Sequence, residues 1–360
     1  MSRIVLAGGG TGGHVYPALA IGDVLRSHGH TVLYYGDGGR LEARVAPQRG
    51  YTFRPVEAAQ YPRGGLVGRV KFALALLKGI VAVRRMLKQD KVDAVLGVGG
   101  YIAAPTVLAA ASLGIPRVIH EANVVPGMAN QLCARVADRV LLTYAATASR
   151  IKSSAPKVVV GVPVNRALLG GDRVAAAARY GLDPHRVTVL FVGGSLGAAR
   201  LNDLAIALSR EPSRGDVQIL HLTGPKYEAD VRAGYGTVPP GVSVVGYEDQ
   251  MAFAYALGDL VVARAGSSTL AELAAAGCPS LLVPSPNVTE NHQEENARGL
   301  EAAGAAAVVV EHGWDVAANV RLIVDLMADP VRLEAMRTAA LGCARLDAAE
   351  RAADVVEGLL

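Results

Sequence analysis

Short runs of consecutive apolar residues alternate with longer amphipathic segments along the whole chain. The runs are rich in Val, Ile and Leu, which is typical of parallel strands covered on both faces. The first half contains the runs RIVLA, TVLYY, DAVLG, RVIH, RVLL and KVVV. The second half contains RVTVLFV, VQILHL, VSVVGY, DLVVA, SLLV and AAVVV. Because helical stretches separate them, the pattern predicts an α/β protein with parallel sheets.

The pattern starts again near the middle of the chain. The strand RVTVLFV enters GGSLGAARLN much as RIVLA enters GGGTGGH. We therefore predict two doubly wound domains, joined near residues 161–171. Open sheets of this kind bind ligands at the carboxyl ends of their strands, where both glycine-rich loops lie. A cleft between the domains is the expected site.

Length and composition fit this interpretation. A chain of 360 residues suits two domains, and its 51% hydrophobic and 19% charged residues exclude disorder. Cys133, Cys278 and Cys343 are scattered and form no C-x-x-C pair. This usage favours a reducing cytoplasm and argues against a structural zinc site. Glycines interrupt the first apolar run almost at once, so we expect no secretory signal.

Residues 94–116 carry no charge and are long enough to imitate a membrane span. Gly97, Gly99, Gly100 and Pro105 interrupt the stretch where a strand, a loop and a helix would meet. We predict a buried strand followed by a buried helix.

Residues 61–88 form a strongly basic stretch. They contain no acidic residue and seven cations, which are Arg63, Arg69, Lys71, Lys78, Arg84, Arg85 and Lys88. Interleaved apolar residues give the composition of a helix that lies on anionic lipid. An ordinary amphipathic helix with a solvated basic face fits equally well, and both interpretations stay open. Few aromatic residues and no binding motif are present, so nucleic acid is not an expected partner.

The loop AGGGTGGH has the glycine spacing of a dinucleotide site. Gly8, Gly10 and Gly13 match G-x-G-x-x-G, and Asp37 after the second strand nearly supplies the acidic residue of that fingerprint. His14 is an additional feature at the start of the next helix. A helix N-terminus disfavours imidazolium, so a neutral His14 could accept a proton. A helix-start histidine bonded to backbone is the simpler interpretation.

The second half offers three loops with candidate chemistry. Ser195 lies in a glycine-rich turn that suits phosphate or a plain strand–helix connection. Thr269 and Glu272 have the spacing of a capping box, although a carboxylate here also suits two ribose hydroxyls. The loop PSPNVTENHQEEN carries polar residues fit for sugar hydroxyls or for an exposed acidic loop. No metal-ligand constellation is present in the sequence.

Taken together, these segments resemble the MurG family of N-acetylglucosaminyltransferases of peptidoglycan synthesis. The resemblance rests on GGGTGGHVYPALA, VGGYIAAP, HEANVVPG, VGGSLGAARLN, RAGSSTLAELAAAGCP and HQEEN, in the family's order. It implies a GT-B fold of two Rossmann-like domains facing a cleft. The acceptor and membrane-facing domain would span residues 1–161, and the UDP-GlcNAc-binding domain residues 162–344. A final helix at about 345–360 would pack back on the first domain.

The resemblance also implies an inverting reaction. GlcNAc would move from UDP-GlcNAc to the muramyl hydroxyl of lipid I, giving lipid II and UDP, with no essential metal or other cofactor. The enzyme would act as a peripheral protein at the cytoplasmic face of the membrane, with anionic phospholipid and other cell-wall synthesis proteins as partners. Such an activity serves cell shape and division. A transferase for another glycolipid, a sugar-nucleotide epimerase, a sugar-nucleotide-binding module and an NAD-dependent oxidoreductase are the alternatives.

The family's functional residues carry over to defined positions. His14 and Glu121 match two candidates for the general base. Thr11, Gly12, Gly13 and Ser195 match loops that contact the donor, and Asn123 matches an asparagine on the GlcNAc. Glu248 falls where the family contacts uracil through backbone. The segment Ser267, Ser268, Thr269, Leu270, Ala271 and Glu272 matches the nucleoside loop, and Gln293 matches a sugar-reading glutamine.

Two departures from the family pattern affect these assignments. Asn165 stands where the family commonly has an arginine near the diphosphate, and Arg166 is displaced by one position. We expect Arg166 to take over that role. The loop before His292 is about one residue longer than common forms, so its register is open.

Overall fold

A computed structural model describes residues 1–58, 65–194, 197–288 and 291–360. The chain divides into two compact units, the first with residues 1–165 and 345–360 and the second with residues 166–344. The division therefore falls between Asn165 and Arg166, slightly later than the predicted boundary at Gly161.

The first unit is built on a parallel sheet with helices on both faces. Its strands are β1 (Arg3–Ala7), β2 (Thr31–Gly36), β3 (Thr52–Pro55), β4 (Ala94–Gly97), β5 (Arg117–Glu121), β6 (Arg139–Leu142) and β7 (Lys157–Val159). Its helices are α1 (Gly12–Ser27), α2 (Leu41–Gln48), α3 (Leu66–Gln89), α4 (Ala103–Leu113), α5 (Met128–Cys133) and α6 (Thr147–Arg150). The strand order is β3-β2-β1-β4-β5-β6-β7, so the direction of winding reverses between β1 and β4.

The second unit repeats this architecture. Its strands are β8 (Thr188–Val192), β9 (Gln218–Leu222), β10 (Val242–Val245), β11 (Leu260–Ala263), β12 (Ser280–Leu282) and β13 (Ala306–Val308), in the order β10-β9-β8-β11-β12-β13. Its helices are α7 (Arg173–Tyr180), α8 (Ala199–Ser209), α9 (Glu228–Tyr235), α10 (Met251–Leu257), α11 (Ser267–Ala275), α12 (His292–Ala302), α13 (Val316–Met327) and α14 (Pro330–Cys343). Single 3₁₀ turns span Arg166–Leu168 and Pro212–Arg214. Winding reverses between β8 and β11.

The prediction of two doubly wound parallel sheets is confirmed. Each predicted apolar run contains one of the strands, and all the strand pairs described are parallel. Of the strands in the described residues, the pattern missed β3, an edge strand with the sequence TFRP. Because its side chains lie largely outside the core, β3 lacks the apolar run that identifies the other strands.

The uncharged stretch of residues 94–116 forms the buried strand β4 and the mostly buried helix α4, as predicted. Among the residues that the structure describes, no helix combines the length and the apolarity needed to cross a bilayer. The last helix, α15 (Ala348–Glu357), packs against α1, and its Ala352, Ala353 and Val356 join the core beneath β1.

Candidate active site

The first glycine-rich loop connects β1 to α1 at the point where winding of the first sheet reverses. Gly10 has a φ of +90° and Thr11 is the N-cap of α1. The N–H of Gly10 donates to the carboxyl group of Glu42, at 3.2 and 3.3 Å from its two oxygens. Glu42 is fully buried, and a Cβ at Gly9 would overlap its carboxyl group. An acidic side chain from α2 thus occupies the inside of this loop.

This arrangement argues against a dinucleotide in the first unit. The Gly10 N–H that would approach a pyrophosphate is already bonded to carboxyl oxygens, and a phosphate there would face acceptor against acceptor. Asp37 is also engaged, because it accepts hydrogen bonds from the Tyr101 hydroxyl and the Gly39 N–H. These bonds, with the one from Tyr101 strongest, lower the pKa of Asp37.

His14 lies in the first turn of α1, and its imidazole packs on the loop that follows β4. A Cβ at Gly99 would lie 2.8 Å from His14 Cε1 and 2.9 Å from its Nδ1, and Gly99 has a φ of +97°. Glycine at position 99 is therefore required both by the backbone conformation and by the ring. The same point is 3.4 Å from the Asn130 Nδ2 atom, which places the imidazole close to the loop around Glu121.

Glu121 ends β5 and is buried, with 2% of its surface exposed. Its Oε1 accepts hydrogen bonds from the Asn123 backbone N–H and side-chain amide, at 2.9 and 3.3 Å. Its Oε2 accepts from the Gly127 N–H at 3.0 Å and the Asn130 amide at 2.9 Å. Burial raises the pKa of Glu121 despite these bonds. Both oxygens thus hold the loop 122–127 in place, a structural task that the sequence does not reveal.

A second histidine, His120, lies beside these groups. Its Nε2 donates to the Gly161 carbonyl oxygen at 2.8 Å, and burial lowers the pKa of His120 to about 4. His120 is therefore neutral near pH 7.

In the second unit, Glu272 lies on α11 after β11. The helix begins at Ser267 with Gly266 as its N-cap, so Thr269 is the third helical residue and the capping-box interpretation is wrong. The Glu272 Oε2 atom instead accepts a hydrogen bond of 2.7 Å from the buried Tyr255 hydroxyl. Burial raises the pKa of Glu272 to about 7, although the bond from Tyr255 works in the opposite direction.

The remaining residues of the α11 segment differ in what they present. Ser267 is buried, whereas Ser268, Thr269 and Ala271 are half-buried. Leu270 is 1% exposed, and its N–H donates to the Gly266 carbonyl. Its side chain and its backbone N–H are thus both used by the fold, which argues against a ligand contact by Leu270.

Gln293 lies in the first turn of α12, after β12. Its Oε1 accepts a hydrogen bond of 2.9 Å from the Ser285 N–H. This bond fixes the side-chain amide so that Nε2 is the end left to donate to a ligand. The strands β8, β11 and β12 are neighbours, so Gln293, the α11 segment and the second glycine-rich loop share one edge of the sheet.

Glu248 follows β10 and is buried. Its carboxylate accepts bonds from Arg179 at 3.0 and 3.1 Å, from the Tyr180 hydroxyl at 2.8 Å and from the Gln250 N–H at 2.7 Å. Burial alone would raise the pKa of Glu248, but these donors outweigh it and hold the pKa below its ordinary value. The side chain therefore anchors the loop between β10 and α10 to α7.

The chain matches the glycosyltransferase family 28 N-terminal domain over residues 4–142 and the C-terminal domain of that family over residues 188–357. It is 41% identical to the UDP-N-acetylglucosamine–N-acetylmuramyl-(pentapeptide) pyrophosphoryl-undecaprenol N-acetylglucosamine transferase of Clavibacter sepedonicus, over 99% of this chain and 96% of that protein. The protein of the same description from Halothermothrix orenii is 38% identical, over 93% and 92%. The chain belongs to the MurG family.

A solved MurG structure, from Acinetobacter baumannii, has the same fold. It superposes with a TM-score of 0.77 at 29% identity, covering 99% of this chain and 100% of that one. The predictions of a GT-B fold and of a hexosyltransferase are confirmed, and the NAD-dependent oxidoreductase is set aside. A structure described as the S. aureus MnaA–UDP complex, at 17% identity and a TM-score of 0.72, shares the fold alone.

The MurG pattern bears on three further positions, Ser195, Arg166 and Asn165. Ser195 lies outside the described residues. Arg166 is exposed in a 3₁₀ turn and is the first residue of the second unit, whereas Asn165 is half-buried and ends the first part of the other unit. Among the described residues, no group of three His, Cys, Asp or Glu side chains is arranged to hold a metal ion.

Several residues that contact the candidate residues within each unit had no signal in the sequence. Glu42 looks like an ordinary first-turn acid of α2, and Tyr255 looks like a core aromatic of α10. Asn130 is buried and donates from one amide group to Glu121 and to the His120 carbonyl. Glu42 lies 32 positions from Gly10, whereas Asn130 and Tyr255 lie 9 and 17 positions from the carboxylates they contact, so the turns between elements decide these contacts.

Proposed function

We propose that this protein transfers GlcNAc from UDP-GlcNAc to the muramyl hydroxyl of undecaprenyl-diphosphate-linked MurNAc-pentapeptide, giving lipid II and UDP. Relatives that align with nearly the whole chain are named for this activity, which supports the proposal. The observation that carries it is that the alignment with these relatives runs through both domains of the chain. The product feeds peptidoglycan synthesis, on which cell shape and division depend.

His14 serves as the general base in this proposal. Its imidazole is half-buried at the start of α1, whereas both oxygens of Glu121 are used in bonds to the loop 122–127. The base removes the proton of the acceptor hydroxyl as that oxygen attacks the anomeric carbon from the face opposite UDP. Configuration at that carbon is then inverted. Glu121 acts through the loop that carries Asn123 and is a positioning residue.

The second unit recognises the donor. Glu272 accepts hydrogen bonds from the two ribose hydroxyls, Gln293 donates to sugar hydroxyls, and the loop anchored by Glu248 offers backbone groups to uracil. Thr11, Gly12 and Gly13 at the positive end of the α1 dipole, with Ser195 and Arg166, stabilise the diphosphate as it leaves. No metal ion is required for this step.

The proposal is tested by transfer of labelled GlcNAc onto a soluble lipid I analogue. We expect transfer from UDP-GlcNAc to persist in EDTA, and thermal stabilisation by UDP-GlcNAc but not by NAD. Diacylglycerol, offered as an alternative acceptor, tests for a transferase that acts on another glycolipid. Release of free sugar without any acceptor tests for an epimerase. Absence of transfer to the lipid I analogue, with transfer to diacylglycerol instead, would contradict the proposed acceptor.

The acceptor is anchored in a bilayer, so we further propose that α3 docks on the cytoplasmic membrane surface. Val67, Val70, Leu74, Leu77 and Val81 recur at three- and four-residue intervals and are 49–69% exposed. Lys71, Lys78 and Arg85 each follow one of these residues by four positions and so flank the apolar stripe. This arrangement favours the interfacial interpretation over a solvated face.

Reversing the three flanking cations should release the protein from membranes. In the variant Lys71→Glu, Lys78→Glu, Arg85→Glu, we expect at least about tenfold weaker partitioning onto anionic vesicles, since each cation contributes roughly 1 kcal/mol near such a surface. Arg84 is left unchanged because its guanidinium donates to the Ser112 carbonyl and hydroxyl. Vesicle co-sedimentation measures the partitioning.

The matched control reverses Arg321, Arg332 and Arg351, which are exposed and lie outside α3. Both triple variants change the net charge equally, so a general charge effect would weaken their binding alike. Equal partitioning of the α3 variant and the wild type would refute docking through α3.

A further inference from the structure

A cavity of about 280 Å³ lies within the first unit, between α3, α4 and α5. Its lining includes Phe72 and Leu76 from α3, Pro105 from α4, Met128 and Leu132 from α5, and Tyr101 from the loop before α4. The walls are predominantly apolar. Apolar walls of this kind favour hydrocarbon over water, because water finds few hydrogen-bond partners on them.

Tyr101 joins this cavity to the candidate active site. One side of the residue lines the cavity, and its Cε1 atom lies 3.5 Å from the position that a Cβ of Gly10 would occupy. Its hydroxyl donates to Asp37 after β2, which fixes the ring between the two places. The cavity is thus separated from the first glycine-rich loop by a single aromatic side chain.

On its other side the cavity is bounded by the helix proposed to dock on the membrane. Phe72, Ala75 and Leu76 line the cavity, whereas Leu74 and Leu77 on the same helix belong to the exposed apolar stripe. The cavity therefore lies between the proposed membrane-facing surface and the loop that carries His14.

The charges at the cavity edge indicate which part of an acceptor fits. Glu57 and Arg135 are the ionisable residues of the lining, one of each sign. A lining whose two charges cancel gives little attraction for a diphosphate, whereas the apolar walls stabilise an uncharged chain. The cavity lining therefore suits the branched hydrocarbon part of a lipid-linked acceptor better than its diphosphate headgroup.

We propose that this cavity binds the isoprenoid units of the acceptor nearest its diphosphate. This inference rests on the proposed lipid-linked acceptor. Seating these units lifts the start of the chain out of the bilayer and holds the sugar near His14. Binding of the chain, in addition to the sugar and the peptide, then contributes to acceptor recognition.

Filling the cavity tests the proposal. Ala75 on α3 and Ala129 on α5 are half-buried lining residues, so Ala75→Phe and Ala129→Phe each place a ring into the space from a different wall. Ala73→Phe is the matched control, since Ala73 is exposed on the same helix and is not part of the lining. Thermal unfolding of each variant verifies that it folds.

Two soluble lipid I analogues separate the cavity from the rest of the site. One carries a ten-carbon isoprenoid chain on the diphosphate and the other a methyl group. We expect the wild type and Ala73→Phe to have at least a tenfold higher kcat/KM for the isoprenoid analogue than for the methyl analogue. Burial of each methylene group raises the affinity by about fourfold, and the isoprenoid chain buries several. The two cavity variants should lose this preference while keeping their kcat/KM for the methyl analogue.

The outcomes distinguish the two levels of the proposal. Wild-type transfer to both analogues without a preference, or a preference that survives both cavity variants, would overturn the isoprenoid site and leave the transferase function intact. If the wild type transfers GlcNAc to neither analogue, the proposed function itself is overturned. Direct calorimetric binding of a ten-carbon isoprenoid monophosphate provides a readout independent of turnover, and it should be abolished by Ala75→Phe and retained in Ala73→Phe.

Discussion

Replacing His14 by alanine is expected to lower kcat by about 10²–10⁴-fold while the KM for UDP-GlcNAc changes little. The variant removes the group that takes the acceptor proton and leaves the donor-recognition residues of the second unit unchanged. The acid limb of the kcat profile should disappear with it, because that limb reports protonation of the base. Steady-state transfer to a soluble lipid I analogue across a pH series measures both effects.

Glu121→Gln separates the base from its neighbour. Each carboxyl oxygen of Glu121 now accepts two hydrogen bonds. A glutamine would replace one of these oxygens by an NH₂ group, which faces the two donors there and cannot accept from them. The hydrogen bonds to that oxygen would therefore be lost. We expect a lower melting temperature and partial activity that keeps the wild-type acid limb. A Glu121→Gln variant that melts like the wild type but loses the acid limb would instead assign the base to Glu121.

Replacing Glu272 by glutamine is expected to raise the KM for UDP-GlcNAc by about 10- to 100-fold, since hydrogen bonds to a charged acceptor are worth about 1.5–3 kcal/mol each. The ionised carboxylate can accept from both ribose hydroxyls. Because burial raises the pKa of Glu272 to about 7, the donor KM of the wild type should rise as the pH falls through that value. This dependence should be absent from Glu272→Gln.

Tyr255→Phe is the companion variant, because it keeps the ring and removes only the hydroxyl that bonds to Glu272. That bond lowers the pKa of Glu272, so its loss should move the midpoint of the KM profile to higher pH. A donor lacking both ribose hydroxyls provides the control, since its KM should be nearly the same for all three proteins. A strong effect of Glu272→Gln on that donor would contradict the ribose assignment.

The fold was predictable wherever burial on both faces leaves a continuous apolar run. That condition identifies the central strands and failed at β3, whose residues Thr52–Pro55 form an edge. Local capping signals were less dependable. Thr269 and Glu272 have capping-box spacing, but the helix starts at Ser267 because Gly266 provides the N-cap conformation.

The places of the candidate residues at the strand ends were predictable, whereas their contacts were not. Parallel strands bring their carboxyl ends to one edge, so the loops with His14, Glu121 and Glu272 could be located from the strand pattern and the motifs. The partners of these residues could not. The donors to Glu121 come from the following loop and helix, and the hydroxyl that faces Glu272 comes from the preceding helix, so these contacts depend on the path of the connecting turns, which no motif encodes.

The buried carboxyl group of Glu42 has a consequence for any attempt to build a cofactor site into this loop. The glycines at positions 8, 10 and 13 would suit a redox cofactor, yet the backbone donor at Gly10 already serves an internal acceptor. A mutation at Glu42 alone would leave that half-buried donor without its carboxyl partner. The α2 acid therefore makes the loop self-sufficient, and a cofactor site here would need Glu42 to be replaced together with a new partner for the Gly10 N–H.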